Sequence, residues 1–66
     1  MSKKAKERVL EILESDGQRG APELANMLDI PLATIQSALL RLLAEQRIRK
    51  IKKSTRVVLY EVVKEK

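Results

Sequence analysis

Along the first two thirds of the chain, apolar side chains recur at three- and four-residue intervals. In the last third the interval shortens. Over Lys3 to Ser15, with helical steps of about 100° per residue, Ala5, Val9, Ile12 and Leu13 share one face and Leu10 sits at its edge. Lys4, Glu7, Glu11 and Glu14 point the other way. Ser2 can cap this first helix, and Gly17 suits its left-handed end. Residues 16–20 hold both glycines and read as a loop. Pro22 fits the first turn of a short second helix, with Leu24, Ala25 and Leu28 inward. The residue before Pro31 is biased away from helical dihedrals, so a break falls at Asp29–Ile30. A third helix runs from Pro31 or Leu32 to Gln46, with Ile35, Ala38, Leu39 and Leu42 on one side and Leu32 and Leu43 flanking. Beyond Gln46, Ile48 and Ile51 alternate with basic residues, residues 53–55 make a polar break, and Val57 to Val63 is strand-prone. The order predicts three helices and an antiparallel hairpin over 47–63, an α+β fold in one domain spanning residues 1–66.

Helix, helix, helix, hairpin, with a short turn between the second and third helices, is the layout of a winged helix-turn-helix. The stretch from Glu23 to Arg49 resembles the DNA-binding core of bacterial and archaeal winged-helix regulators of the MarR and IclR types. The matching residues are Glu23-Leu24-Ala25, Leu28, Ile30-Pro31, Thr34-Ile35, Leu39, Leu42, Ile48 and Arg49. The compact size is also similar to minimal regulators of fimbrial, plasmid or viral type. Two residues depart from the pattern: Asp29 stands where the family has a turn glycine, and Gln46 where it has the glycine before the wing. Asp tolerates left-handed dihedrals better than Gln, so the third helix is expected to run on or end differently. The Zα class of winged helices recognises left-handed DNA through an asparagine and a tyrosine on the third helix. Gln36 and Leu40 stand at those places, and that activity is not carried over.

Charge sharpens the picture. Residues 1–46 hold six basic and seven acidic side chains, and residues 47–66 hold eight and two, so the net +5 lies wholly in the last third. Arg47, Arg49, Lys50, Lys52, Lys53 and Arg56 crowd the hairpin. Such a segment fits a polyanion, though it also fits a self-repelling strand edge or, less well, an anionic membrane surface. With Ile35 at the centre of the buried face, the third helix turns Ala33, Gln36, Ser37, Leu40 and Ala44 outward. Gln36 can pair with an adenine edge, Ser37 with several bases, and Ala33 or Leu40 with a thymine methyl. The resemblance implies that Thr34 and Arg41 grip phosphates on either flank. It also implies a wing whose basic residues meet the backbone, one of them entering a minor groove. The outer face of the third helix carries no charge, and its Ala33–Leu40–Ala44 patch fits a protein contact as an alternative. Lys3, Lys4 and Lys6 crowd the positive end of the first helix. They are read as tolerated exposed charges rather than a phosphate site.

Other functions are disfavoured. The chain has no cysteine and no histidine, which removes thiolate metal sites, disulfides and the commonest general base. No nucleophile–base pair, glycine-rich phosphate loop or metal cluster is visible, and Glu7, Glu11 and Glu14 form a solvated face. An enzyme, a cofactor and a small-molecule ligand are therefore not expected. One aromatic residue, Tyr60, is too few for a single-strand stacking platform. No apolar run of signal-peptide or membrane-span length is visible, which leads to an expected cytoplasmic location. The terminal strand is apolar on both faces, so its outer face, with the first helix, is a candidate homodimer surface. The reading is a sequence-specific double-stranded DNA-binding regulator. The rivals are a protein-interaction module and a non-specific DNA- or RNA-binding protein.

Overall fold

The structure, a computed structural model, describes residues 4–63. The roles expected of Ser2 and Lys3, and the charges of Lys64, Glu65 and Lys66, lie outside the described residues. Three helices, α1 (Ala5–Asp16), α2 (Ala21–Leu28) and α3 (Leu32–Ala44), precede two strands, β1 (Ile48–Lys52) and β2 (Val58–Val62). The strands pair antiparallel with Ile48 opposite Val62, Lys50 opposite Tyr60 and Lys52 opposite Val58. Backbone bonds from Val63 to Arg47 and from Lys53 to Val57, both 2.9 Å, extend the hairpin to the 47–63 span read from the sequence.

Helix ends follow local chemistry. Gly17 closes α1 at φ 86° and ψ −137°, not in the left-handed helical region expected but in another positive-φ region that residues with a Cβ rarely adopt. Asp29 takes φ 55° and ψ 46° after α2, and the Ile30 amide donates back to the Ala25 carbonyl at 3.1 Å. This six-residue closure is a Schellman motif with Asp in the glycine position. Pro31, extended at φ −55° and ψ 142°, then opens α3. At the far end α3 stops at Ala44, two residues before the expected Gln46. Gln46 itself sits at φ 60°. Its amide donates to the Leu43 carbonyl and the Arg47 amide to the Leu42 carbonyl, each at 3.0 Å. The geometry that glycine favours is thus kept although the residue is Gln, because two orphan helix carbonyls are satisfied only by this turn.

Val9, Leu24, Ile35, Leu39 and Leu42 are the largest fully enclosed side chains, and Ile48 joins them from β1. Leu10 is buried, not peripheral as the helical wheel placed it, because the hairpin packs against that side of α1. Leu32 is instead largely exposed. Truncating Leu42 to alanine removes about 2–5 kcal/mol, a large share of what so small a domain possesses.

A third strand segment was not read from the sequence. Arg19 pairs antiparallel with Tyr60 on the edge of β2 away from β1, with amide–carbonyl bonds of 2.9 and 3.2 Å. Gly20 permits this approach: a Cβ there would stand 3.2 Å from the Val58 carbonyl oxygen. The Arg19 guanidinium lies 3.6 Å from Asp16 and 3.5 Å from Glu23, spanning the end of α1 and the start of α2.

Candidate nucleic-acid interface

Helices α2 and α3 meet at 118° across the Asp29–Pro31 turn, the wide angle of a helix-turn-helix. The buried stripe Ile35, Ala38, Leu39 and Leu42 pins α3 by one side. Its opposite side leaves Ala33, Gln36, Ser37, Leu40 and Ala44 exposed, as the periodicity requires, with Thr34 and Arg41 exposed beside them. Leu40 is 67% exposed in the middle of that side. The exposed side divides. Gln36 and Leu40, with Leu43 and Tyr60, line a groove of about 250 Å³ between α3 and the hairpin. Thr34, Ser37 and Arg41 line a separate cleft of about 350 Å³ between α3 and the start of α1, where Lys4 and Lys6 complete the wall. Thr34 and Arg41, seven residues apart, therefore share one flank and do not stand on either side of the helix as expected.

The hairpin divides as well, because side chains alternate across a sheet. Ile48 is enclosed, and Tyr60 and Val62 pack against the core. Lys50 and Lys52 share their face, so they project on the α3 side of the hairpin. Arg49 lies on the opposite face, where its Nε is 2.6 Å from Glu61 Oε1 and a second guanidinium nitrogen also contacts that oxygen. Gln18 Nε2 donates to the other Glu61 oxygen at 3.0 Å. The Gln18 bond, then the Arg49 bond, holds the Glu61 carboxyl below the ordinary glutamate value of 4.5. Arg47 also sits on the far side, 3.8 Å from Glu45. Lys53 and Arg56 are exposed at the tip, which is closed by the Val57 amide donating to Ser54 Oγ at 3.3 Å. The six basic hairpin residues are therefore not one cluster: Lys50 and Lys52 face α3, Lys53 and Arg56 crown the tip, and Arg47 and Arg49 are turned to the back.

The sequence presents Tyr60 as a strand residue and a lone aromatic, and the structure makes it one wall of the groove beside Gln36. The two-residue alternation of Val58, Tyr60 and Val62 carries that information once the inward face is known. Lys4 and Lys6, read as solvated charges, converge with α3 residues about 30 positions later in the chain, and no local signal encodes such a meeting. On the outer hairpin face, Ile51 and Leu59 are half-buried and Val57 and Val63 exposed, with the Arg49–Glu61–Gln18 group among them. Among the described residues, no single helix is long and apolar enough to cross a membrane.

No family model and no curated protein sequence matches the chain. Solved structures do. The adhesin competence repressor AdcR of Streptococcus pyogenes superposes with a TM-score of 0.85 at 24% identity, over 92% of this chain and 46% of its own. The Zalpha domain of zebrafish PKZ, in its apo form, gives 0.83 at 17% identity, over 89% and 91%. Lactococcus lactis ZitR in complex with DNA gives 0.80 at 23% identity, over 96% and 44%. The chain spans slightly under half the length of AdcR and ZitR. Likeness of this order establishes the fold, and with the three helices and the hairpin it identifies a winged helix-turn-helix.

Proposed function

We propose that this domain binds double-stranded DNA sequence-specifically and acts as a transcription regulator. In this reading α3 enters the major groove and the hairpin follows the backbone. The observation that carries it is the one-sidedness of the surface. The exposed side of α3 and the α3-facing side of the hairpin hold Gln36, Leu40, Lys50 and Lys52. No carboxylate lies between Leu32 and Tyr60 except Glu45, which is tied to Lys6 at 2.7 Å. A helix whose outward residues are uncharged, small or amide-bearing around one leucine can approach base edges closely. Cations beside it supply the sequence-independent attraction. ZitR, which shares the fold, is solved in complex with DNA, and that supports a DNA-binding reading of this domain.

In the proposed complex Gln36 reads an adenine edge. Ala33 and Leu40 read thymine methyls, and Ser37, on the α1 side of the helix, stands between base edges and backbone. Thr34, Arg41, Lys50, Lys52, Lys53 and Arg56 contact phosphates. Arg47 and Arg49 contribute only through the general field, given their paired positions on the back. The domain acts by occupancy in the cytoplasm. It pairs as a homodimer through α1 and the outer face of β2, which doubles the site. Neither catalysis nor a small ligand enters this mechanism.

Selection of bound duplexes from a random pool tests it. An enriched, two-fold symmetric motif is the expected result, and Gln36→Ala should relax one base position by about 1–3 kcal/mol of discrimination. Failure to retain any duplex at about 50 mM salt would remove the DNA reading. A second reading is favoured by the 67% exposure of Leu40 on an uncharged face: docking of a protein on Ala33, Leu40 and Ala44. Equal binding to random duplex and RNA, without an enriched motif, would instead leave a non-specific nucleic-acid binder.

A further inference from the structure

The cleft between the start of α1 and α3 is not explained by base reading, and its wall is chemically selective. Lys4 and Lys6 come from α1's first turn and the residue before it; Thr34, Ser37 and Arg41 come from successive turns of α3 at intervals of three and four. Three cations and two hydroxyls thus face one space of about 350 Å³ that no carboxylate lines. Lys6 is already neutralised by Glu45. Lys4 and Arg41 are exposed and have no ion-pair partner among the described residues. Glu45 also acts on Arg41 at longer range, yet two cations in one cleft remain without an ion pair, an arrangement that favours a bound anion. Hydroxyl donors beside a guanidinium and an ammonium suit a tetrahedral oxyanion: Arg41 offers a fork, Lys4 a point charge, and Thr34 and Ser37 short directional bonds.

We infer that this cleft holds a single backbone phosphodiester of the bound duplex, clamped between Lys4 on α1 and the Thr34–Ser37–Arg41 stripe on α3. The inference rests on the DNA-binding reading and deepens it. It makes α1 a contact element rather than a scaffold, and fixes the register of α3 by a phosphate on the flank opposite Lys50 and Lys52. Because Ser37 lines this cleft, its hydroxyl serves the phosphate, and the base-reading set contracts to Ala33, Gln36 and Leu40.

The test couples protein and DNA changes. The selected duplex is synthesised with a neutral methylphosphonate at each backbone position in turn, and bound to the parent and to Lys4→Gln/Arg41→Gln. One position per half-site is expected to weaken the parent about five- to tenfold at 0.15 M salt, the electrostatic worth of one phosphate contact. The double variant should lose a similar factor on unmodified DNA and about one unit of salt slope, yet lose nothing more at that position. Lys4→Arg/Arg41→Lys, which keeps both charges, should recover most of the affinity. Parental affinity and slope in the double variant, with the duplex still bound, would overturn the cleft assignment alone. So would losses that multiply at every methylphosphonate position. If the parent itself retains no duplex, the DNA-binding reading fails and the cleft assignment with it. Both altered residues are exposed, and a melting temperature at or above the parent's confirms that the variant is folded.

Discussion

Replacing Gln46 by glycine should make the domain more stable. Gln46 holds φ 60° because its own amide and that of Arg47 close the end of α3 on Leu43 and Leu42. Left-handed dihedrals cost an L-residue about 1–2 kcal/mol. Glycine relieves that strain but gives up about 0.5–1 kcal/mol of chain entropy on ordering. The difference spans about 0–1.5 kcal/mol and centres on a gain of about 0.75 kcal/mol, or roughly 3–6 °C in melting temperature for a domain of this size. Gln46 lies on the side of the molecule lined by Leu10, Glu14 and Val63, away from the groove beside Gln36, so duplex affinity should not change. Thermal and urea denaturation followed by circular dichroism measures the effect. Two companions fix its sign: Asp29→Gly should gain less, because Asp visits this region at lower cost, and Gln46→Val should lose stability, because a β-branched residue resists positive φ. A Gln46→Gly protein that melts at or below the parent would refute the reasoning, and would mean that the Gln side chain makes contacts worth more than the strain.

Three further outcomes are expected. Leu40→Glu places a carboxylate on the exposed side of α3, and specific duplex binding should collapse while the circular dichroism spectrum stays parental. Retained affinity and motif would move the function to the protein-docking reading. Lys50→Ala/Lys52→Ala should weaken all duplexes alike and lower the salt slope by about two units, whereas Arg49→Ala, on the opposite face, should leave the slope nearly parental. A larger effect from Arg49 would invert the assignment of hairpin faces. The Glu61 carboxyl, lowered in the folded state by Gln18 and then Arg49, stabilises the hairpin above its unfolded value, and that contribution is lost as pH falls through the lower folded value. Carboxyl NMR titration should therefore find Glu61 below 4.5, moving upward in Gln18→Ala, and an unmoved titration would exclude the Gln18 bond in solution.

The helices were legible because their signals are local. The stripe Ile35, Ala38, Leu39, Leu42 announces both the helix and its buried side, and Pro31 announces the break before it. Element order and the basic hairpin then followed, and so did the outward set on α3. What stayed hidden depends on contacts between distant residues. The Arg19–Tyr60 pairing joins positions 41 apart through a loop whose composition reads only as a turn. The end of α3 was placed two residues late because propensity says that Gln continues a helix, while the Arg47 amide, fixed by strand β1, requires the turn. Summed charge, too, concealed the division of the hairpin. Six basic residues in ten look equivalent along the chain, and only the position of Ile48 in the core decides which alternate residues face α3.

That dependence on Ile48 ties the binding surface to the core. A two-stranded hairpin is marginal in water by itself, so its orientation must come from what it packs against. Ile48, Tyr60 and Val62 dock one face onto the helices, and the Arg19 bridge holds the outer edge of β2 at Tyr60. The direction of Lys50 and Lys52 relative to Gln36 is therefore set by buried apolar contacts and two backbone hydrogen bonds, not by the charged residues themselves. Charge at the surface can then change without moving the scaffold. A change at Ile48 or Gly20 would instead turn the whole hairpin relative to α3. Affinity is thus carried by exposed side chains that cost little to alter, and geometry by enclosed ones that cost much. The same logic applies to α1: Val9 and Leu13 fix it against α3 through the core, and that packing is what brings Lys4 to the cleft opposite Arg41.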